Sequence, residues 1–186
     1  MAGLFVTFEG GEGSGKSTQV ARLAARLRAR GLDPLVTREP GGTTLAEGIR
    51  GLLLDPERRP TALAEAFLMQ AARAQLVETV IRPALDDGRV VLCDRYDDST
   101  LAYQGAGRGL DARMLADWSR TATAGLVPTM TLLFDVPKSI PMLSMTSPHL
   151  SCSLFVDRVC SRGRAGGERG RFRAKKNPPR LSRRVG

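Results

Sequence analysis

The sequence predicts an α/β fold, a parallel sheet with helices on both faces, and three observations carry that expectation. Short apolar runs (Leu4–Glu9, Pro34–Thr37, Arg89–Asp94 and Thr129–Asp135) alternate with longer segments of helical period, the pattern that right-handed βαβ units impose. The first run leads directly into Gly10-Gly11-Glu12-Gly13-Ser14-Gly15-Lys16-Ser17, a match to G-x-x-x-x-G-K-[ST] in its required strand-to-helix setting. The third run closes on Asp94, an acidic group at the carboxyl end of a strand, where open α/β sheets bind their ligands.

Each element has its own justification. Leu4–Glu9 reads as a buried central strand. In the loop after it, glycines at 10, 11, 13 and 15 allow the backbone to turn its N–H groups inward as a phosphate cradle. The helix start adds the positive end of its dipole, Lys16 can reach the β/γ-phosphates, and the Ser17 hydroxyl can ligate Mg²⁺. Val20, Leu23, Ala24 and Leu27 recur at helical spacing until Gly31 stops the helix. After the strand Pro34–Thr37, the breaker-rich Arg38–Thr43 is a loop at the ligand-binding edge. Thr43 or Thr44 then caps a helix that runs to Leu54, and Asp55-Pro56 ends it. One long helix is expected from Ala62 to between Pro83 and Asp87. Arg89–Asp94 has the form of a Walker-B strand, residues 111–124 form a helix with Trp118 on its apolar side, and Thr129–Asp135 is the fourth strand.

Composition narrows the function classes. At 186 residues the chain fits one domain with a sizeable core. It has no apolar run of about 18 residues and no signal-peptide pattern at its start, so no membrane span is expected. Three cysteines without C-x-x-C spacing argue against a disulfide framework or zinc site and make a reducing cytoplasm the expected compartment. The net charge of +9 is unevenly distributed: 12 of 28 basic and 2 of 19 acidic residues follow Pro137, so residues 138–186 carry +10 and the rest −1. No specific nucleic-acid partner is implied by a pI set by one segment.

A phosphate loop alone leaves ATPases, GTPases and small-molecule kinases open, but no Asn-Lys-x-Asp element for guanine occurs. A nucleotide kinase also needs arginines for an acceptor phosphate and a flat apolar surface for its base. Arg38, Arg73 and Arg95 each lie on a segment that meets the phosphate-loop edge, and Phe67, six residues before Arg73, is expected to face the same cleft. Taken singly, each residue has an ordinary reading: Phe67 and Tyr103 as core, Arg38 and Arg73 as solvated charges, Asp94 as a helix cap, Glu12 as a loop residue.

Together, TFEGGEGSGKSTQ, REPGGT, FLMQAAR and DRYDDSTLAYQG resemble the bacterial thymidylate kinase family in identity, order and spacing over about residues 3–137. The resemblance implies a P-loop NTPase fold of the nucleotide-kinase type and transfer of the ATP γ-phosphoryl group to dTMP, giving dTDP, with Mg²⁺. It further implies that Gly10, Gly11, Glu12, Gly13, Ser14, Gly15, Lys16, Ser17 and Thr18 hold ATP, and that Ser17 and Asp94 serve the metal. Lys16, Asp94 and Arg95 would be catalytic. Glu12 would meet the sugar 3′-hydroxyl, Arg38 and Arg95 the dTMP phosphate, and Phe67 and Arg73 the thymine. Tyr103 would pack near the deoxyribose, with Ser99, Thr100 and Gln104 lining the pocket. Homodimer formation is left open.

Past Pro137 the resemblance ends. The family continues into an arginine-rich lid, a fifth strand and a closing helix; here the sequence changes to scattered Ser, Pro and Met and then an Arg/Gly/Pro run. Residues 1–137 are thus read as the kinase core, truncated at the lid and fifth strand, and 138–186 as a basic tail that does not build a packed core. The abrupt change suggests translation in a different frame, or a sequence error, from about residue 138, with ordinary divergence as the alternative reading. Apolar surface near Leu132 and Phe134 is then expected to be exposed. The alternative function is a nucleotide-binding module with little catalysis, or another P-loop small-molecule kinase.

Overall fold

The computed structural model describes residues 3–134, which form a parallel sheet of four strands with helices on both faces. The strands are β1 (Leu4–Gly10), β2 (Leu35–Arg38), β3 (Val90–Asp94) and β4 (Met130–Phe134), in the spatial order β2-β3-β1-β4. The strand carrying the phosphate loop therefore sits between β3 and β4, with Phe8 opposite Asp94 and Gly10 opposite Phe134. Gly10 has φ 141°, and a Cβ there would run into the Phe134 carbonyl, so only glycine lets β4 approach the start of the loop.

Helix α1 (Lys16–Arg28) covers one face through Val20 and Ala24, which pack with Val6, Phe8, Leu92 and Phe134. The other face is covered by a helical run: α3 (Ala62–Leu76), a π-helical turn (Val77–Ile81) and α4 (Arg82–Asp86). Leu76, Val77, Ile81 and Ala84 from this run pack on Phe5, Val91, Cys93 and Tyr96. The expected single helix is thus widened at 77–81. Pro83 is the physical reason: it has no N–H to donate and its ring crowds the carbonyl one turn back, and a π turn, with Arg82 N–H bonding Val77 O, makes room for it. Helix α2 (Thr44–Leu54) packs on α3 through Ala46 and Ile49 and is capped by Thr43, whose hydroxyl accepts from Ala46 N–H at 3.1 Å.

After β3 come a short helix α5 (Asp97–Thr100), a π turn (Leu101–Ala106) and helix α6 (Ala112–Ala122), capped by Asp111. The expected exposure of Phe134 is not found. Strand alternation turns Phe134 into the core under α1, where it stacks on Phe8 at 6.0 Å, and turns Leu133 outward on the opposite face. The expectations for the lid, the fifth strand and the basic tail 138–186 lie outside the described residues.

Candidate functional site

The phosphate loop closes on itself through Lys16. Its Nζ donates to the carbonyls of Gly10 (2.9 Å) and Gly11 (2.6 Å), and burial together with the nearby Arg95 charge lowers its pKa. Gly13 and Gly15 adopt φ of 74° and 88° as expected; of the four loop glycines predicted to turn, Gly11 does not. Glu12, Ser17 and Thr18 face solvent, and Ser14 and Gly15 are half-buried.

Ser17 and Asp94, 77 residues apart, meet: the Ser17 hydroxyl donates to Asp94 Oδ2 at 2.7 Å. A hydroxyl and a carboxylate side by side at the cradle suit a hard cation. The described residues hold no cluster of three or more His, Cys, Asp or Glu placed to bind a metal ion.

Two cavities flank this pair. The larger, about 730 Å³, is lined by Glu9, Gly10, Gly11, Arg95, Ser99 and Tyr103 and, from the β4 side, by Val127, Thr131 and Leu133. The smaller, about 340 Å³, lies between α1 and β2 and is lined by Ser17, Arg38, Glu47 and Asp94. Asp94 therefore faces one cavity and Arg95 the other. Arg38 and Arg95 were expected to share an acceptor phosphate, but they do not line one cavity. Arg38 is held by both oxygens of Glu47 (3.1 and 3.0 Å), a carboxylate that also accepts from Gly42 N–H at 2.9 Å. That backbone bond, and then Arg38, hold the Glu47 carboxyl below its usual range.

Phe67 and Arg73 do not face one cleft either. Six residues at about 100° each leave two side chains roughly 120° apart around a helix. Phe67 is 53% exposed and stacks on Trp118 with ring centroids 4.6 Å apart, whereas Arg73 is 0% exposed. The half-buried Met69, four residues before Arg73, is the position one turn away on the arginine's side.

Nor is Arg73 a solvated charge. Its Nε donates to Glu39 Oε2 (2.8 Å), Nη1 to Gln70 Oε1 (3.3 Å) and Ser119 Oγ (3.1 Å), and Nη2 to the Tyr96 carbonyl and Thr100 Oγ1 (both 3.0 Å). One guanidinium thus ties the loop after β2, the segment after β3 and α6 to α3. Burial pushes the Glu39 carboxyl up against the pull of Arg73, and Glu39 Oε1 has no hydrogen-bond partner among the described residues.

The segment after β3 presents two stripes. Ser99 and Tyr103 face the larger cavity, while Thr100 and Gln104, each one position on, turn toward α3. Thr100 accepts from Arg73, and Gln104 Nε2 donates to Glu65 Oε1 at 2.7 Å. Thr100 and Gln104 therefore do not line the cavity as expected.

Sequence reasoning missed Glu9, Glu39, Gln70 and Ser119. The signal for Glu9 was a carboxylate closing an otherwise apolar strand, a group that must find partners on burial. Burial raises its pKa from 4.5 to about 7, with bonds from Ser99 and Tyr96 opposing. The folded pKa lies above the unfolded one, so the stability this group contributes is complete below pH 4.5 and lost as pH rises through about 7. Denaturant unfolding between those limits is expected to show a loss of about 3 kcal/mol from this group. The slope should shrink by that amount in Glu9→Gln, leaving the part due to other buried carboxyls such as Glu39; an unchanged slope in the variant would assign it elsewhere.

A family model described as thymidylate kinase matches residues 8–148, which contain every predicted site residue and extend past Pro137. The chain belongs to the thymidylate kinase family. It is 54% identical over 138 residues to the thymidylate kinase of Deinococcus radiodurans, covering 74% of this chain and 67% of that one. To the thymidylate kinase of Thermomicrobium roseum it is 60% identical over 137 residues, covering 73% and 64%. The chain thus spans about two thirds of the length of these thymidylate kinases. The crystal structure of thymidylate kinase from Ehrlichia chaffeensis superposes with a TM-score of 0.69 at 36% identity, over 74% of this chain and 78% of that one. Among the described residues no helix is long and apolar enough to cross a membrane.

Proposed function

We propose that this chain is an ATP-dependent dTMP kinase that transfers the γ-phosphoryl group of ATP to the phosphate of dTMP, giving dTDP and ADP. The observation that carries the reading is the larger cavity, which opens beside the phosphate loop with Arg95 and Tyr103 in its wall, within the stretch shared with thymidylate kinases. ATP phosphates rest on the loop amides from Gly10 to Thr18 and on Lys16. Ser17, with Asp94 beside it, would hold Mg²⁺, which would supply charge neutralisation on the phosphate oxygens. Arg95 takes the dTMP phosphate, and Tyr103 flanks the sugar. The Glu12 carboxylate, exposed on the loop, is free to meet the 3′-hydroxyl. The transferring group needs little covalent help, so the work of these residues is in-line positioning and electrostatic stabilisation.

ADP release coupled to a visible readout tests the proposal. Turnover is expected with dTMP and to be weaker with dUMP, dCMP or AMP. Tight dTMP and ATP binding without ADP release would favour a binding module instead. Equal turnover with AMP would point to another kinase.

A further inference from the structure

Glu9 lies on the cavity face of β1, one residue before the loop, and is 4% exposed. Each of its oxygens takes one donor from the segment after β3. Oε1 accepts from Tyr96 N–H at 2.7 Å, and Oε2 accepts from the Ser99 hydroxyl. Between those contacts and β3 stands Arg95, a non-glycine residue at φ 73°, a left-handed conformation that costs roughly 1–2 kcal/mol. Its own N–H donates to the Phe8 carbonyl at 3.0 Å, so the two peptide N–H groups on either side of the Arg95 Cα are anchored on neighbouring residues of β1.

The side chain of Arg95 then turns back toward the loop. Nη1 donates to the Gly10 carbonyl (3.2 Å), Ser99 Oγ (3.3 Å) and the Tyr103 hydroxyl (3.3 Å). A serine hydroxyl has one proton, and with Glu9 ionised that of Ser99 goes to its carboxylate, which leaves the serine oxygen facing Arg95 as an acceptor. Among the described residues Arg95 forms no ion pair, so its charge faces the cavity without a carboxylate partner.

We propose that Glu9 is a positioning residue for the acceptor phosphate: through Tyr96 N–H and the Ser99 hydroxyl it fixes the left-handed turn at Arg95 and aims the guanidinium into the cavity. This rests on the reading of Arg95 as a ligand of the dTMP phosphate. It also assigns Ser99 a supporting part, since its proton is unavailable to a ligand while Glu9 holds it.

The test uses the full chain. In Glu9→Gln one amide oxygen can still serve Tyr96 N–H, but the amide nitrogen meets Ser99 as a donor and competes with Arg95 for its oxygen. Calorimetric titration is expected to show dTMP affinity weakened about tenfold or more, as for loss of one charge-assisted contact, with ATP affinity within about twofold. Equal losses for both ligands would make Glu9 a merely structural residue and overturn the proposal, as would unchanged dTMP affinity. A second measurement is independent of any ligand. In Glu9→Ala the Tyr96 amide should exchange with solvent at least about tenfold faster, while the Val91 and Leu92 amides of β3 keep their rates. If the parent chain binds no dTMP, the acceptor reading fails and the clamp stands or falls on this exchange rate. An unchanged Tyr96 rate overturns it.

Discussion

Replacing Lys16 by alanine is expected to lower phosphoryl transfer by at least about 10²–10³-fold, the cost of removing one preorganised donor from a charged transition state. The fold should persist. Lys16 is only 6% exposed, yet the hydrogen bonds of its ammonium go to groups of the loop itself, the carbonyls of Gly10 and Gly11 and Ser14 Oγ, in a half-exposed to exposed segment that water can reach. ADP-release kinetics beside urea unfolding separates the two effects. Unchanged turnover in the variant would remove Lys16 from the reaction, and a collapse of the unfolding midpoint would make it a structural residue.

Arg73→Ala is expected to act through stability first, and strongly. It removes a cation from contact with the buried carboxylate of Glu39 at 2.7 Å and strips donors from Gln70, Ser119, Thr100 and the Tyr96 carbonyl. Breaking a buried pair on one side costs about 3–5 kcal/mol, a large share of the roughly 5–15 kcal/mol by which domains are stable. Much of that cost is the stranded carboxylate, so Arg73→Met with Glu39→Gln together should lose less than Arg73→Met alone. Arg73→Lys should fall between, because an ammonium lacks the planar fork that reaches three segments at once. Wild-type unfolding in Arg73→Ala would show that the network contributes nothing. A selective loss of dTMP binding, without a change in stability, would return Arg73 to the role of a base contact.

Features were legible in the sequence to the extent that their signals are local. The strands, the loop, the cap at Thr43 or Thr44 and the stop of α1 before Gly31 are written in neighbouring residues; the structure has the strand ends within a residue or so, caps α2 with Thr43, and ends α1 at Arg28. The meeting of Ser17 with Asp94 was legible because two motifs with known chemistry name each other across 77 residues. Side-chain facing was not legible after β3. Ser99 and Tyr103 look into the cavity, while Thr100 and Gln104, each one position and about 100° on, look toward α3, and nothing in the local sequence says which stripe meets the cavity. Phe67 was misplaced by counting six residues as nearly two full turns. The Glu39–Arg73 pair was not legible, and Arg73 was read as a thymine contact, because pairing between a loop and a helix 34 residues later leaves no mark on either segment alone.

The strand order β2-β3-β1-β4 also sets a schedule. During synthesis the phosphate loop is complete by Ser17, yet the strands on either side of it are drawn from residues 90–94 and 130–134. Until the first has been made the loop lacks the Asp94 carboxylate beside Ser17, and until the second it lacks the β4 backbone against Gly10. Contacts between such distant residues close slowly and late. A nascent chain shorter than about the end of β4 therefore carries the whole motif without its site. Nucleotide can stabilise only the finished core, so a ligand added to refolding protein should slow unfolding more than it speeds folding.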